Sequence, residues 1–276
     1  MKLKYAARTH VGLVRPSNED SILTMPESGL FLVADGMGGE VAGEEASAQV
    51  VESVKRVFHA VPEKFPVEPE HLEDRLREAI RQAHRDVFNI ARINPLKRGL
   101  GSTASLMCVH RDAWMVAQIG DSRVYLVREG LVRQITTDHT VVWQLYQQGM
   151  IEREQLGEHP SRHLLTQCVG SGEPIDIDFF EGISQTGDLF LICSDGLTGY
   201  VGEESLEATL VDPALELEQK ADHLLNAALA GGGGDNISVI LVAVELERGD
   251  NWLALSQASK TKTTKKKVTD TDETSY

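Results

Sequence analysis

The chain has 276 residues, of which 41% are hydrophobic and 25% charged, and a net charge of −15. These proportions suit one large or two small globular domains with a substantial core. The acidity argues against nucleic acid as the main partner. No apolar stretch approaches the ~20 residues of a membrane span, and the N-terminal MKLKYAARTHVG lacks the apolar core of a signal peptide. Cys108, Cys168 and Cys193 are odd in number and form no CxxC pair, which fits reduced thiols. A cytoplasmic, monomeric protein with no membrane partner is the expectation.

In chain order, Lys2 to Thr9, Ser21 to Thr24 and Gly29 to Ala34 read as strands. Ala46, Val50, Val54, Val57 and Phe58 recur at helical spacing, with Glu44 and Glu45 near the start, where the helix dipole favours acids. PEKFPVEP breaks that helix, and a second runs from about Glu70 to Ile93. STASLMCVHR, AWMVAQIG, RVYLVREG and LVRQIT then read as strands, with a hairpin turn at Arg128-Glu129-Gly130. Residues 138 to 170 hold a short helix from Val141 to Gln148 and many polar residues, as expected of a surface insertion. Strands resume at Ile175 to Phe180 and Asp188 to Cys193. Pro213 at the first helical position opens a helix to about Ala230, which Gly231 to Gly234 end. The last strand is Ile237 to Val244, and residues 259 to 276 read as a low-complexity, disordered end. The two batches of strands and helices do not alternate regularly. They predict an α+β fold of antiparallel sheets packed together and covered by helix pairs.

Five aspartates lie at apparent strand ends in turn-forming sequence: Asp20, Asp35, Asp121, Asp195 and Asp235. One Asp-Gly is ordinarily a turn. Carboxylates gathered from distant segments form an oxygen-rich cage, and their mutual repulsion favours a hard divalent cation. The pattern points to a two-metal hydrolase. Asp35 suits a bridging position, since Gly36 lets the backbone turn and offer a carbonyl. Asp195 has the same setting, and Asp235 sits between a glycine run and the final strand. Glu19 and Asp20 would reach metal directly or through water. Arg15, three residues before Asn18, offers a guanidinium fork that matches a phosphate.

RPSNED, FLVADGMGG, GST, IGDSRVYL, the pair Asp138-His139, HPSRHLLTQCVG, SDGL and GGGGDNISV resemble the metal-dependent PP2C-type protein serine/threonine phosphatases, the compact bacterial branch best. The resemblance spans about residues 5 to 245. It implies a four-layer α-β-β-α sandwich over residues 1–247, with a flap at about 138–170 and a tail at 248–276. It implies hydrolysis of phosphoserine and phosphothreonine in proteins by a water bridging two Mn²⁺ or Mg²⁺ ions, opposing a Ser/Thr kinase. Asp35 would bridge both ions, Gly36 would ligate one through its carbonyl, and Asp195 and Asp235 would ligate the other. Glu19 and Asp20 would act in the outer shell, and Arg15 would bind phosphate. Asp121 with Asp195 would hold a third ion, and Asn236 would orient its loop. Met37 stands where many eukaryotic relatives place a His that is a proposed general acid, and Glu40 where bacterial relatives place His. His139, His159 and His163 fall in the flap. The other six histidines show no ligand spacing, and no HExxH zinc motif is present. A small-molecule phosphomonoesterase and a non-catalytic phosphoprotein-binding module of the same fold remain as alternatives.

Overall fold

The computed structural model describes residues 1–38, 42–59, 71–94, 97, 99–172 and 174–246. The expectations for PEKFPVEP, for Glu40 and for the 248–276 tail lie outside these residues. No described helix is long and apolar enough to cross a membrane.

Two antiparallel sheets form the centre. The first is ordered β1 (Lys2–His10), β11 (Ile237–Glu245), β10 (Leu189–Cys193), β7 (Arg123–Arg128) and β8 (Leu131–Gln134). The second is ordered β2 (Asp20–Met25), β3 (Leu30–Met37), β5 (Ala104–His110), β6 (Ala113–Ile119) and β9 (Asp178–Ile183), with the short β4 (Gly101–Ser102) pairing with β3. Alternation along each central strand divides three cores. On β3, Phe31 and Val33 point between the sheets, while Leu30, Leu32 and Ala34 point to α1 (Ala42–His59) and α2 (Leu72–Ile93). On β10, Phe190 and Ile192 face the other sheet, while Leu189, Leu191 and Cys193 face α4 (Asp195–Thr198), α5 (Glu203–Val211) and α6 (Leu217–Ala230). Each fully buried Leu or Val contributes roughly 1.5–3 kcal/mol to this arrangement. The expected four-layer sandwich is what forms.

Several local expectations are corrected. Asp35 does not end its strand. Residues Gly36 and Met37 pair with Ser102 and Gly101, and the Thr103 amide donates to the Asp35 carbonyl at 2.8 Å, so β3 runs on to Met37. Pro213 does not open α6; it sits in a turn, and a reciprocal capping box between Glu216 and Gln219 starts the helix at Leu217. The sequence reading missed α5 and α4. The carbonyls at the end of α5 are satisfied by Lys220, whose buried ammonium donates to Thr209, Leu210 and Asp212 at 3.0, 2.8 and 2.6 Å. Strand β9 is shifted to Asp178–Ile183 because it takes its register from β6, with Gly182 facing Trp114. A Cβ on Gly182 would stand 2.5 Å from the Trp114 ring.

Residues 138 to 170 are a surface insertion only in their middle. Asp138, His139, Thr140, Val142 and Val169 are buried. Thr140 bridges to Leu165, the Thr166 amide donates to the His139 carbonyl at 2.8 Å, and Val169 pairs with Ser102, so the flap closes on itself at its base. Helix α3 (Val141–Gln147) begins at this base, with the Thr140 hydroxyl accepting from the Trp143 amide. The hairpin expected between β7 and β8 is present, and Glu129 and Gly130 both adopt positive φ, 54° and 76°, as a tight hairpin turn requires.

Candidate active site

Five separated segments bring acids to one end of the sandwich. Asp35 comes from β3, Asp121 from the turn after β6, Asp195 from the first turn of α4, and Asp235 from the loop before β11. Glu19 comes from the loop that leads into β2. With Arg15, Gly36 and Asn236, these residues line a cavity of about 850 Å³. Asp20 is not part of its wall; it lies behind, 7% exposed, directly opposite Asp35 in the β2–β3 register. The sequence-predicted set therefore converges on one place.

Close backbone approach makes this possible. A Cβ on Gly36 would lie 2.0 Å from the Gly43 carbonyl oxygen, so the start of α1 packs directly on β3 beneath the acids. A Cβ on Gly196 would lie 1.9 Å from the Asn236 carbonyl oxygen, which holds the Asp195 and Asp235 loops together. Asn236 ties three backbone groups of the neighbouring loop to this one. Its Nδ2 donates to the carbonyls of Val11 and Ser17, both at 2.9 Å, and its Oδ1 accepts from the Glu19 amide at 2.7 Å. The loop carrying Arg15 is thereby fixed to the start of β11.

Burial comes first among the forces that hold the Asp35 carboxyl well above its usual range, followed by the charges of Asp20, Asp195, Asp121 and Asp235. Burial likewise leads for Asp121, reinforced by Asp195 and Asp138 and opposed by Arg123. Asp20 is pushed up to about 7, mainly by burial, with hydrogen bonds from Ser238 and Ser194 working against it and Asp195 and Asp235 adding to it. Burial raises Glu19, with Arg15 opposing and Asp235 and Glu44 reinforcing. The Arg15 guanidinium donates to Asp235 Oδ2 at 2.8 Å, so the expected phosphate ligand is tied to an expected metal ligand. Burial lowers Arg15, but the hydrogen bond and charge of Asp235, with Glu19 and Asp35, raise it on balance.

Among the described residues, no three His, Cys, Asp or Glu side chains form a closed metal cage. The acids are arrayed around the cavity instead. Their chemistry fits a hard divalent cation: the donors are all oxygens, they repel one another, and the buried Asp20 Oδ1 has no hydrogen-bond partner.

Supporting residues outside the expected set hold these acids. The Thr103 hydroxyl accepts from the Asp35 amide at 2.9 Å and lies 2.7 Å from the Ser122 hydroxyl. Ser194 donates to Asp20 Oδ2 at 2.8 Å and accepts from the Ser238 amide at 3.0 Å. Both had a signal: Thr103 lies in GST, and Ser194 immediately precedes Asp195. His163 of the flap lines the cavity with Nδ1 3.8 Å from Asp195 Oδ2. His139 is structural: it accepts from the Gly120 amide at 3.3 Å and lies 3.1 Å from Asp178. Met37 also lines the cavity.

A protein-family model described as Protein phosphatase 2C matches residues 15–231. The serine/threonine phosphatase stp of Listeria monocytogenes is 33% identical over 242 residues, covering 87% of this chain and 95% of that protein. The serine/threonine protein phosphatase PstP of Mycobacterium tuberculosis is 34% identical over 242 residues, covering 88% of this chain but 45% of PstP, so the chain spans less than half of that relative. The solved catalytic domain of PstP in complex with two manganese ions superposes with a TM-score of 0.78 at 33% identity, covering 89% of this chain and 99% of that one. Sequence, fold and the convergent acids agree: the chain belongs to the protein phosphatase 2C family, the metal-dependent protein serine/threonine phosphatases of the bacterial kind.

Proposed function

We propose specific roles for the cavity residues in the metal-dependent hydrolysis of phosphoserine and phosphothreonine. The PstP catalytic domain is solved with two manganese ions, and the oxygen donors of this cavity would suit Mn²⁺ or Mg²⁺. Asp35, the Gly36 carbonyl, Asp195 and Asp235 would hold these ions. Asp121 with Asp195 would hold a third ion. Glu19 and Asp20 support from outside, Asp20 through its cross-strand position against Asp35. Bound there, the ions supply Lewis-acid polarisation of the phosphoryl oxygens and of water.

The chain's own residues do the rest. Arg15, half-exposed at the cavity, exchanges its Asp235 partner for the incoming phosphate, whose oxygens match the guanidinium fork. Asn236 holds the Arg15 loop and the Glu19 amide in fixed relation to Asp235. Thr103 fixes the backbone at Asp35 from both sides of that residue. Met37 has no proton to give, so the leaving-group proton comes from water or another group in the cavity.

The observation that carries this reading is the convergence of acids from five separate segments on one cavity that also holds Arg15. The substrates are phosphoproteins made by an opposing Ser/Thr kinase, and the protein acts as a monomer. Three free cysteines support a cytoplasmic setting. The test is a metal-stripped preparation assayed on a phosphothreonine peptide, with Mn²⁺, Mg²⁺ and Ca²⁺ restored in turn, beside Asp35→Asn. Recovery with Mn²⁺ or Mg²⁺ and its absence in Asp35→Asn are expected; inertness under all three ions defeats the reading.

A further inference from the structure

Two segments that contribute to the cavity wall carry exposed apolar side chains. Leu13 and Val14 immediately precede Arg15 and are 66% and 70% exposed. Leu13 is held in place: its amide donates to the Gly233 carbonyl at 2.7 Å, and its side chain comes within 3.0 Å of where a Gly233 Cβ would sit. It therefore rests on the glycine run that leads into Asp235. Leu164, from the flap, is 57% exposed and lines the cavity itself beside His163. A single exposed Leu is ordinary. Leu164 stands on the cavity wall, and Leu13 and Val14 stand on the segment that leads into the cavity-lining Arg15, with Leu13 pinned by its backbone.

We propose that Leu13, Val14 and Leu164 read the residues flanking the phosphoserine or phosphothreonine of a protein substrate and favour apolar neighbours over acidic ones. The proposal rests on the phosphatase reading above and deepens it. An apolar side chain next to the phosphoresidue would cover surface that is otherwise in water. Because Leu13 is already fixed, little ordering is needed on binding. An acidic neighbour would gain no such cover and would approach a chain of net charge −15. Against an alanine neighbour, an apolar contact on such a surface is worth roughly a tenfold preference.

The test uses the full chain with Mn²⁺ and three phosphothreonine peptides that differ only in the residues on either side of the phosphothreonine: Leu, Ala or Asp. Turnover of p-nitrophenyl phosphate, which has no flanking residues, is followed in parallel. The Leu peptide should exceed the Ala peptide about tenfold in kcat/KM, mainly through KM, with Asp lowest. The double change Leu13→Ser, Val14→Ser and the single change Leu164→Ser should each reduce the Leu preference while leaving p-nitrophenyl phosphate turnover in place. Equal turnover of Leu and Ala peptides by the parent protein overturns the proposal. So does an equal loss on every substrate in the variants, which would make these residues structural. Sedimentation showing a dimer that the double variant dissolves would assign the surface to a second copy and also overturn it. No turnover of any substrate by the parent protein would instead defeat the phosphatase reading.

Discussion

Asp20 and Asp35 are direct partners across the β2–β3 ladder, so two carboxylates share one side of the sheet at the base of the cavity. Like charges placed this way destabilise a sheet unless a proton or a cation lies between them.

A pH dependence follows. Asp20 is raised from 3.8 to about 7 in the folded protein, and Asp35 is raised well above 3.8. Between those limits the folded chain binds more protons than the unfolded one, so the stability these groups lend is full below about pH 4 and is lost as the pH rises through about 7. Metal-stripped protein should melt at a lower temperature at pH 7.5 than at pH 5.5. Mn²⁺ should raise the pH 7.5 value most, and Asp20→Asn should flatten the slope. A stripped protein whose melting temperature climbs with pH over this range would refute the account.

Arg15 should act on substrate capture. Its charge-assisted bonds to phosphate are worth about 1.5–3 kcal/mol, so Arg15→Ala should raise KM for a phosphopeptide by roughly ten- to a hundredfold. Arg15→Lys keeps the charge but loses the fork, and should fall between. Steady-state kinetics with kcat and KM resolved separately decide the point, and an unchanged KM in both variants contradicts the assignment.

The Asn236 side chain makes three hydrogen bonds, two as donor and one as acceptor. Asn236→Ala leaves two backbone carbonyls and one amide without their partner, a loss of about 2–3 kcal/mol. Asn236→Asp should also destabilise, because a carboxylate cannot donate to Val11 and Ser17. Denaturant unfolding measures the first, and peptide turnover should fall in both as the Arg15 loop loosens.

Gly36 tolerates no side chain. A Cβ at this position would meet the Gly43 carbonyl oxygen at 2.0 Å and the Glu19 carbonyl oxygen at 2.7 Å, both of them backbone. Gly36→Ala must push α1 away from β3, and should lower stability by several kcal/mol, in the range of severe overpacking. Circular dichroism melts would show it. A variant of parental stability and activity would mean the contact relaxes freely.

Much of the fold is legible in the sequence because burial and period agree. Phe31 to Ala34 and Leu189 to Cys193 are apolar on both faces because each strand lies between a sheet and helices. Asp195 and Asp235 can be singled out because each adjoins such a strand. Helix α5 is hidden because only Leu206 and Leu210 bury, and its closing residue, Lys220, comes from the next helix. Asp35 reads as a turn residue because Asp-Gly usually is one; the pairing of Gly36 with Ser102, 66 positions further on, carries the strand past it. The pairing of Arg15 with Asp235 joins positions 220 apart, and no local pattern announces it.

The closed base of the flap fixes both ends of one strap of chain. Its two ends meet at Thr140 and Leu165 and are joined by the Thr166 amide and the His139 carbonyl. The residues between those points are tethered at both ends, and among them His163 and Leu164 reach the cavity wall, so a change in the length of this span would move part of the site's own lining.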